Sequence, residues 1–104
     1  MRIAIVDDIE TERALLKMRL ERQLSLYGVE TEILEFGSSE SFLAAEKERH
    51  FTVVFLDIYM KGLSGMDAAK ELRKTDADCF LIFTTTSTDH ALEGFQVRAF
   101  HYLV

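Results

Sequence analysis

The stretch Phe51 to Met60 reads FTVVFLDIYM, and its unbroken apolar run Val53-Val54-Phe55-Leu56 leads straight into Asp57. So short a run, rich in β-branched and aromatic residues, predicts a strand buried on both faces. A strand of that kind needs cover on both sides, which restricts the chain to a layered α/β arrangement. In an open parallel sheet, ligands sit at the carboxyl ends of the strands. Asp57 therefore stands where chemistry would be placed. The first strand pattern behaves alike: Arg2 to Asp8, RIAIVDD, ends in the two carboxylates Asp7 and Asp8.

The rest of the chain alternates. After the Ile3–Val6 strand, Asp8 is expected to cap a helix running to about Tyr27, with Glu10 and Glu12 in a first turn that favours negative charge. Leu16, Leu20 and Leu24 recur at helical spacing, widened by Leu15 and Met18, and Gly28 ends the helix. Val29 to Phe36 alternates apolar with acidic residues, which predicts a strand near a sheet edge. Ser38 or Ser39 can cap a short helix over Glu40–Arg49, with Phe42, Leu43 and Ala44 or Ala45 inward. The glycine-bearing loop Lys61–Gly65 leads into a helix over Met66–Lys74 that turns Met66, Ala69 and Leu72 inward. Phe80–Phe83 is a fourth strand, Asp89 to about Val97 a fourth helix, and Ala99–Val104 a fifth strand. Strict βαβαβαβαβ alternation implies a doubly wound parallel sheet with right-handed crossovers.

The chain's 104 residues are enough for one domain with its own core. A formal net charge of −6 argues against nucleic-acid binding by this domain, since phosphate contacts need clustered Lys and Arg. Cys79 is the only cysteine, so no internal disulfide forms, and its apolar neighbours mark it as a core residue. Together with a strand pattern beginning at Met1 and no long apolar span, this leads us to expect a cytoplasmic protein without a signal peptide or membrane helix. His50, His90 and His101 show no metal-ligand spacing and are expected on the surface or in strands.

Winding brings the ends of the first, third and fourth strands together, carrying Asp7, Asp8, Asp57 and Thr84–Thr86. Read one at a time, these residues are a helix cap, a strand terminator and β-branched strand residues. Read jointly, they are three carboxylates beside a hydroxyl. A carboxylate pair about 4 Å apart costs roughly 4 kcal/mol at an effective dielectric near 20. A hard divalent cation removes that cost, and oxygen ligands fit Mg²⁺. Cation, free carboxylate and hydroxyl together suit phosphoryl transfer.

IVDD near the start, VVFLDIYMKGLSGMDAA in the middle, and IFTT followed by AFHYLV resemble the receiver domain of bacterial two-component response regulators. The stretch FTTTSTDHALEGFQVRAFHYLV is most similar to receivers that precede a LytTR-type DNA-binding domain. The resemblance implies a flavodoxin-like five-stranded sheet of order 2-1-3-4-5. It also implies that Asp57 accepts a phosphoryl group from a sensor histidine kinase. Asp8, Asp7, Asp57 and the Tyr59 carbonyl would hold Mg²⁺, Thr85 would be the switch hydroxyl, and Tyr102 the aromatic that turns inward with it. Tyr59 and Ser87 match positions that tune dephosphorylation, and Ser64-Gly65 matches the loop before the third helix.

Two departures accompany the resemblance. Lys61 stands where receivers usually carry proline, so a looser loop is expected after Asp57. The family also has a lysine, a proline and a fifth helix after the last strand, whereas this chain stops at Val104. The expectation is a receiver belonging to a longer transcription regulator, with a DNA-binding output domain beyond the chain. An apolar sheet face left uncovered would favour homodimerisation.

Such a domain is not an enzyme beyond phosphorylation and dephosphorylation of itself. The alternative reading is an interaction module of the same fold that works without phosphorylation. A flavodoxin-like cofactor binder is disfavoured because Asp7-Asp8-Ile9-Glu10 repels phosphate. A haloacid-dehalogenase-type phosphatase wants an aspartate where Tyr59 stands.

Overall fold

The computed structural model describes residues 1–84 and, for the backbone, 101–103. Its elements are β1 (Arg2–Val6), α1 (Glu10–Leu26), β2 (Glu32–Phe36), α2 (Ser39–Glu48), β3 (Val53–Asp57), α3 (Gly65–Thr75), β4 (Phe80–Thr84) and β5 (His101–Leu103). The five strands form one sheet of order β2-β1-β3-β4-β5, every pairing parallel, as the alternation implies. The fourth helix expected over Asp89–Val97 lies outside the described residues.

Strand periodicity of two sorts the core into two layers. Ile3, Ile5 and Phe55 face α1, whose Leu16, Leu20 and Leu24 pack on them. Ala4, Val6, Val54, Leu56, Leu81 and Phe83 point the other way, into the cluster that Phe42 of α2 and Met66, Ala68, Ala69 and Leu72 of α3 complete. The β3 run is thus covered on both faces. Cys79 is buried in the second cluster, and burial pushes its thiol up to about 11, which leaves it inert.

Three local expectations need correction, and a fourth, the cap of α2, is narrowed to one of its two candidates. Helix α1 starts at Glu10 with Ile9 in the capping position and no side-chain cap; Asp8 lies too early to serve. Leu15 and Met18 are exposed, so the packing stripe of α1 is only Leu16, Leu20 and Leu24. Strand β2 begins at Glu32, because Gly28 takes a left-handed φ of 66° and the Val29 N–H turns back to the Leu24 carbonyl, ending the helix. The cap of α2 is Ser38, whose hydroxyl accepts from the Ser41 N–H, and Ser39 is the first helical residue.

Candidate functional site

The parallel register aligns the strand ends. Val6 lies opposite Leu56, and Asp57 opposite Thr84. The residues just past Val6 are Asp7 and Asp8, so three carboxylates meet at one end of the sheet. One carboxylate oxygen from each of Asp7, Asp8 and Asp57 lies within 4.8 Å of the others. Asp7 and Asp57 are half-buried, and Asp8 is exposed.

Their electrostatics follow from that crowding. Burial and then the charge of Asp7 raise Asp57 to about 6, the Tyr59 N–H lowers it by less, and smaller opposing effects come from the Asp8 charge and the Ile58 N–H. The Tyr59 N–H reaches Asp57 Oδ1 at 3.4 Å. Asp7 is also raised, by burial first, although the Ile9 N–H donates to its Oδ1 at 2.9 Å. Two strained carboxylates beside a third, with water access through Asp8, form an oxygen-donor set that suits a hard divalent cation.

Three supports escaped the sequence reading. Arg13, one turn into α1, donates to the Asp7 carbonyl at 2.7 Å and lies 3.5 Å from the Glu35 carboxylate of β2. It ties β1, α1 and β2 together beside the site. The Lys61 N–H lies 3.4 Å from Asp8 Oδ2, a contact that a proline there could not make. The Gly65 N–H donates to the Ile58 carbonyl at 2.9 Å, and Ser64 caps α3 by accepting from the Asp67 N–H. The loop after Asp57 is therefore tied at both ends. Most of these contacts run through backbone groups, and backbone approach has no signature in residue type.

Thr85 and Ser87 lie outside the described residues. Tyr102 falls on β5, opposite Phe83, and its side chain lies outside the described residues. Tyr59 is half exposed in the loop after β3.

The family model of the response regulator receiver domain matches residues 3–104. The chain belongs to this family. As a receiver domain it shares 33% identity over 93 residues with the sensory transduction protein LytT of Oceanobacillus iheyensis, covering 83% of this chain and 38% of that protein. It shares 40% identity over 106 residues with the positive alginate biosynthesis regulatory protein of Pseudomonas aeruginosa, covering 100% of this chain and 41% of that protein. The receiver thus spans about two-fifths of the length of these curated relatives. Among solved structures, the response regulator TrrA of Thermotoga maritima in complex with Mg(2+)-BeF matches with a TM-score of 0.83 at 31% identity, covering 99% of this chain and 84% of that one. The resemblance to receivers of LytT-type regulators is borne out.

Proposed function

We propose that this receiver takes a phosphoryl group on Asp57 from the phosphohistidine of a sensor histidine kinase, with Mg²⁺ held by Asp8, Asp7, Asp57 and the Tyr59 carbonyl. The observation that carries this reading is the convergence of the three carboxylates within 4.8 Å at the ends of β1 and β3. When bound, Mg²⁺ supplies positive charge both to the carboxylates and to the incoming phosphoryl oxygens. Asp57 attacks phosphorus through a carboxylate oxygen, and the P–N bond breaks with its electron pair passing to the kinase imidazole. With its pKa near 6, Asp57 is mostly ionised at neutral pH and available as the nucleophile. Arg13 and the loop contacts of Lys61 and Gly65 hold the carboxylates in place.

Thr85 and Tyr102 carry the switch in this reading. Thr85 follows Thr84, the residue opposite Asp57, and Tyr102 follows on the neighbouring strand. Phosphorylation shifts a two-state population by drawing the Thr85 hydroxyl to the phosphoryl group. The output is transcription regulation through a DNA-binding domain beyond Val104, in a cytoplasmic protein that pairs as a homodimer. The greater length of the relatives supports an output domain, as does a relative from Bacillus subtilis named a transcriptional regulatory protein, 33% identical over 102 residues. Among the described residues, no helix is long and apolar enough to cross a membrane.

The deciding test is intact mass after incubation with acetyl phosphate. One phosphoryl group should appear with Mg²⁺, and none with EDTA or in Asp57→Asn. Mass gain independent of Mg²⁺ and of Asp57 sinks the reading. No gain in either this chain or the longer regulator makes the domain a phosphorylation-independent interaction module.

A further inference from the structure

The opposite end of the sheet carries a second convergence of ligand-type side chains. Glu46 lies in the last turn of α2, His50 just past that helix, and Asp76 at the C-cap of α3. One donor atom from each lies within 4.8 Å of the others. The cluster stands before the first residue of β3, about 15 Å along the strand from Asp57.

Among the described residues, the cluster has more carboxylate oxygens than hydrogen-bond donors. Glu46 is 1% exposed, so its carboxylate has almost no water. Its Oε1 meets His50 Nδ1, which also lies 3.7 Å from Asp76 Oδ2. A single Nδ1 proton cannot serve both carboxylates. Glu46 Oε2 lies 3.3 Å from the Thr75 hydroxyl, but that hydroxyl is equally placed to donate to the Leu72 carbonyl at 3.2 Å. Asp76 Oδ1 accepts from the Asp78 and Cys79 N–H groups, which turns Oδ2 toward His50. Among the described residues, three carboxylate oxygens thus converge on one imidazole proton and one contested hydroxyl. Arg73 sits at the rim and donates to the carbonyls of Asp76 and Cys79.

We propose that Glu46, His50 and Asp76 form a binding site for a divalent transition-series ion of Zn²⁺ type, separate from the acidic site at Asp57. Two carboxylates and a neutral imidazole balance a double positive charge. The imidazole nitrogen favours Zn²⁺ over Mg²⁺ or Ca²⁺. Bonds of about 2.0 Å in a tetrahedron place ligand atoms about 3.3 Å apart. The 3.7 Å between His50 Nδ1 and Asp76 Oδ2 is near that edge, whereas Glu46 Oε1 sits in direct hydrogen-bond contact with Nδ1 and moves back from it to ligate. The exposed side of His50 leaves the fourth position to water. Ion binding would pin the end of α2 to the end of α3.

The test is calorimetric titration of this chain with Zn²⁺ while Mg²⁺ saturates the acidic site. One Zn²⁺ should bind, and Co²⁺ in its place should give visible absorption bands. His50→Ala and Asp76→Asn should weaken Zn²⁺ by about tenfold or more, whereas Asp57→Asn should keep it. His50 is exposed, so its loss leaves no apolar cavity although it removes a partner of the buried Glu46, and asparagine at 76 keeps an Oδ1 for the two amides. Equal Zn²⁺ affinity in His50→Ala, or loss of it in Asp57→Asn alone, overturns the proposal.

Discussion

The carbonyl oxygen of Asp57 lies 1.9 Å from where a Cβ on Gly65 would stand. The Asp57 carbonyl carbon and the Ile58 Cα are 2.7 and 2.8 Å from the same point. These neighbours are backbone, so no side chain can swing away. The start of α3 packs against the end of β3 this closely because residue 65 has no side chain.

Gly65→Ala should therefore push the strand end and α3 apart. We expect a stability loss of about 1–3 kcal/mol from overpacking, seen as a lower urea midpoint. Phosphoryl incorporation at Asp57 should fall by about tenfold or more, since misplacement of roughly 1 Å is enough to disturb in-line attack. A variant that keeps both its midpoint and its phosphorylation rate would show that the contact has slack.

Asp57 makes a prediction about pH in the presence of EDTA. Its pKa is raised from 3.8 to about 6, so the folded chain keeps this proton to higher pH than the unfolded chain does. Its contribution to stability therefore falls as pH rises from about 4 to about 6. Full conversion of the shift gives about 3 kcal/mol. Half exposure screens it, leaving about 1 kcal/mol. Asp57→Asn should accordingly be the more stable protein at pH 7.5, and the gap should close near pH 4. Mg²⁺ favours the ionised carboxylates and should raise Tm in the native chain more than in Asp57→Asn.

Phe42 tests the layer that backs the site. Its side chain is fully buried, with ring centroids 5.8 Å from both Phe36 and Phe51. Phe42→Ala should cost about 3–5 kcal/mol in urea unfolding with little change in m. A loss under about 1 kcal/mol would mean that Phe36 and Phe51 refill the cavity.

What was legible in the sequence depended on apolar pattern. The β3 run and the βα alternation fixed the sheet, and a carboxylate at the end of a buried strand pointed to Asp57. Asp8 was misread as a cap because its spacing to Glu10 and Glu12 suits one, whereas Asp7 is the residue that accepts from the Ile9 N–H. Glu46 was invisible for the opposite reason. A carboxylate gives no apolar signal of burial, yet α2 packs against α3 and turns this one inward toward Thr75 and His50. Gly65 read only as a loop glycine, because a close approach between two backbones leaves no mark on residue type.

His50 supplies a second pH dependence, of opposite sign. The Glu46 hydrogen bond, the Glu46 charge and then the Asp76 charge raise its pKa above 6.5. A histidine held this way adds stability that is fully present below the unfolded pKa and is lost as pH rises through the folded one. With metal ions chelated, His50→Gln should lower Tm at pH 6 and have a smaller effect at pH 9. The Asp57 effect runs through more acidic values, so the two variants separate in one series of thermal melts. A His50→Gln deficit that is the same at both pH values would show that the imidazole serves Glu46 as a neutral donor and not as a cation.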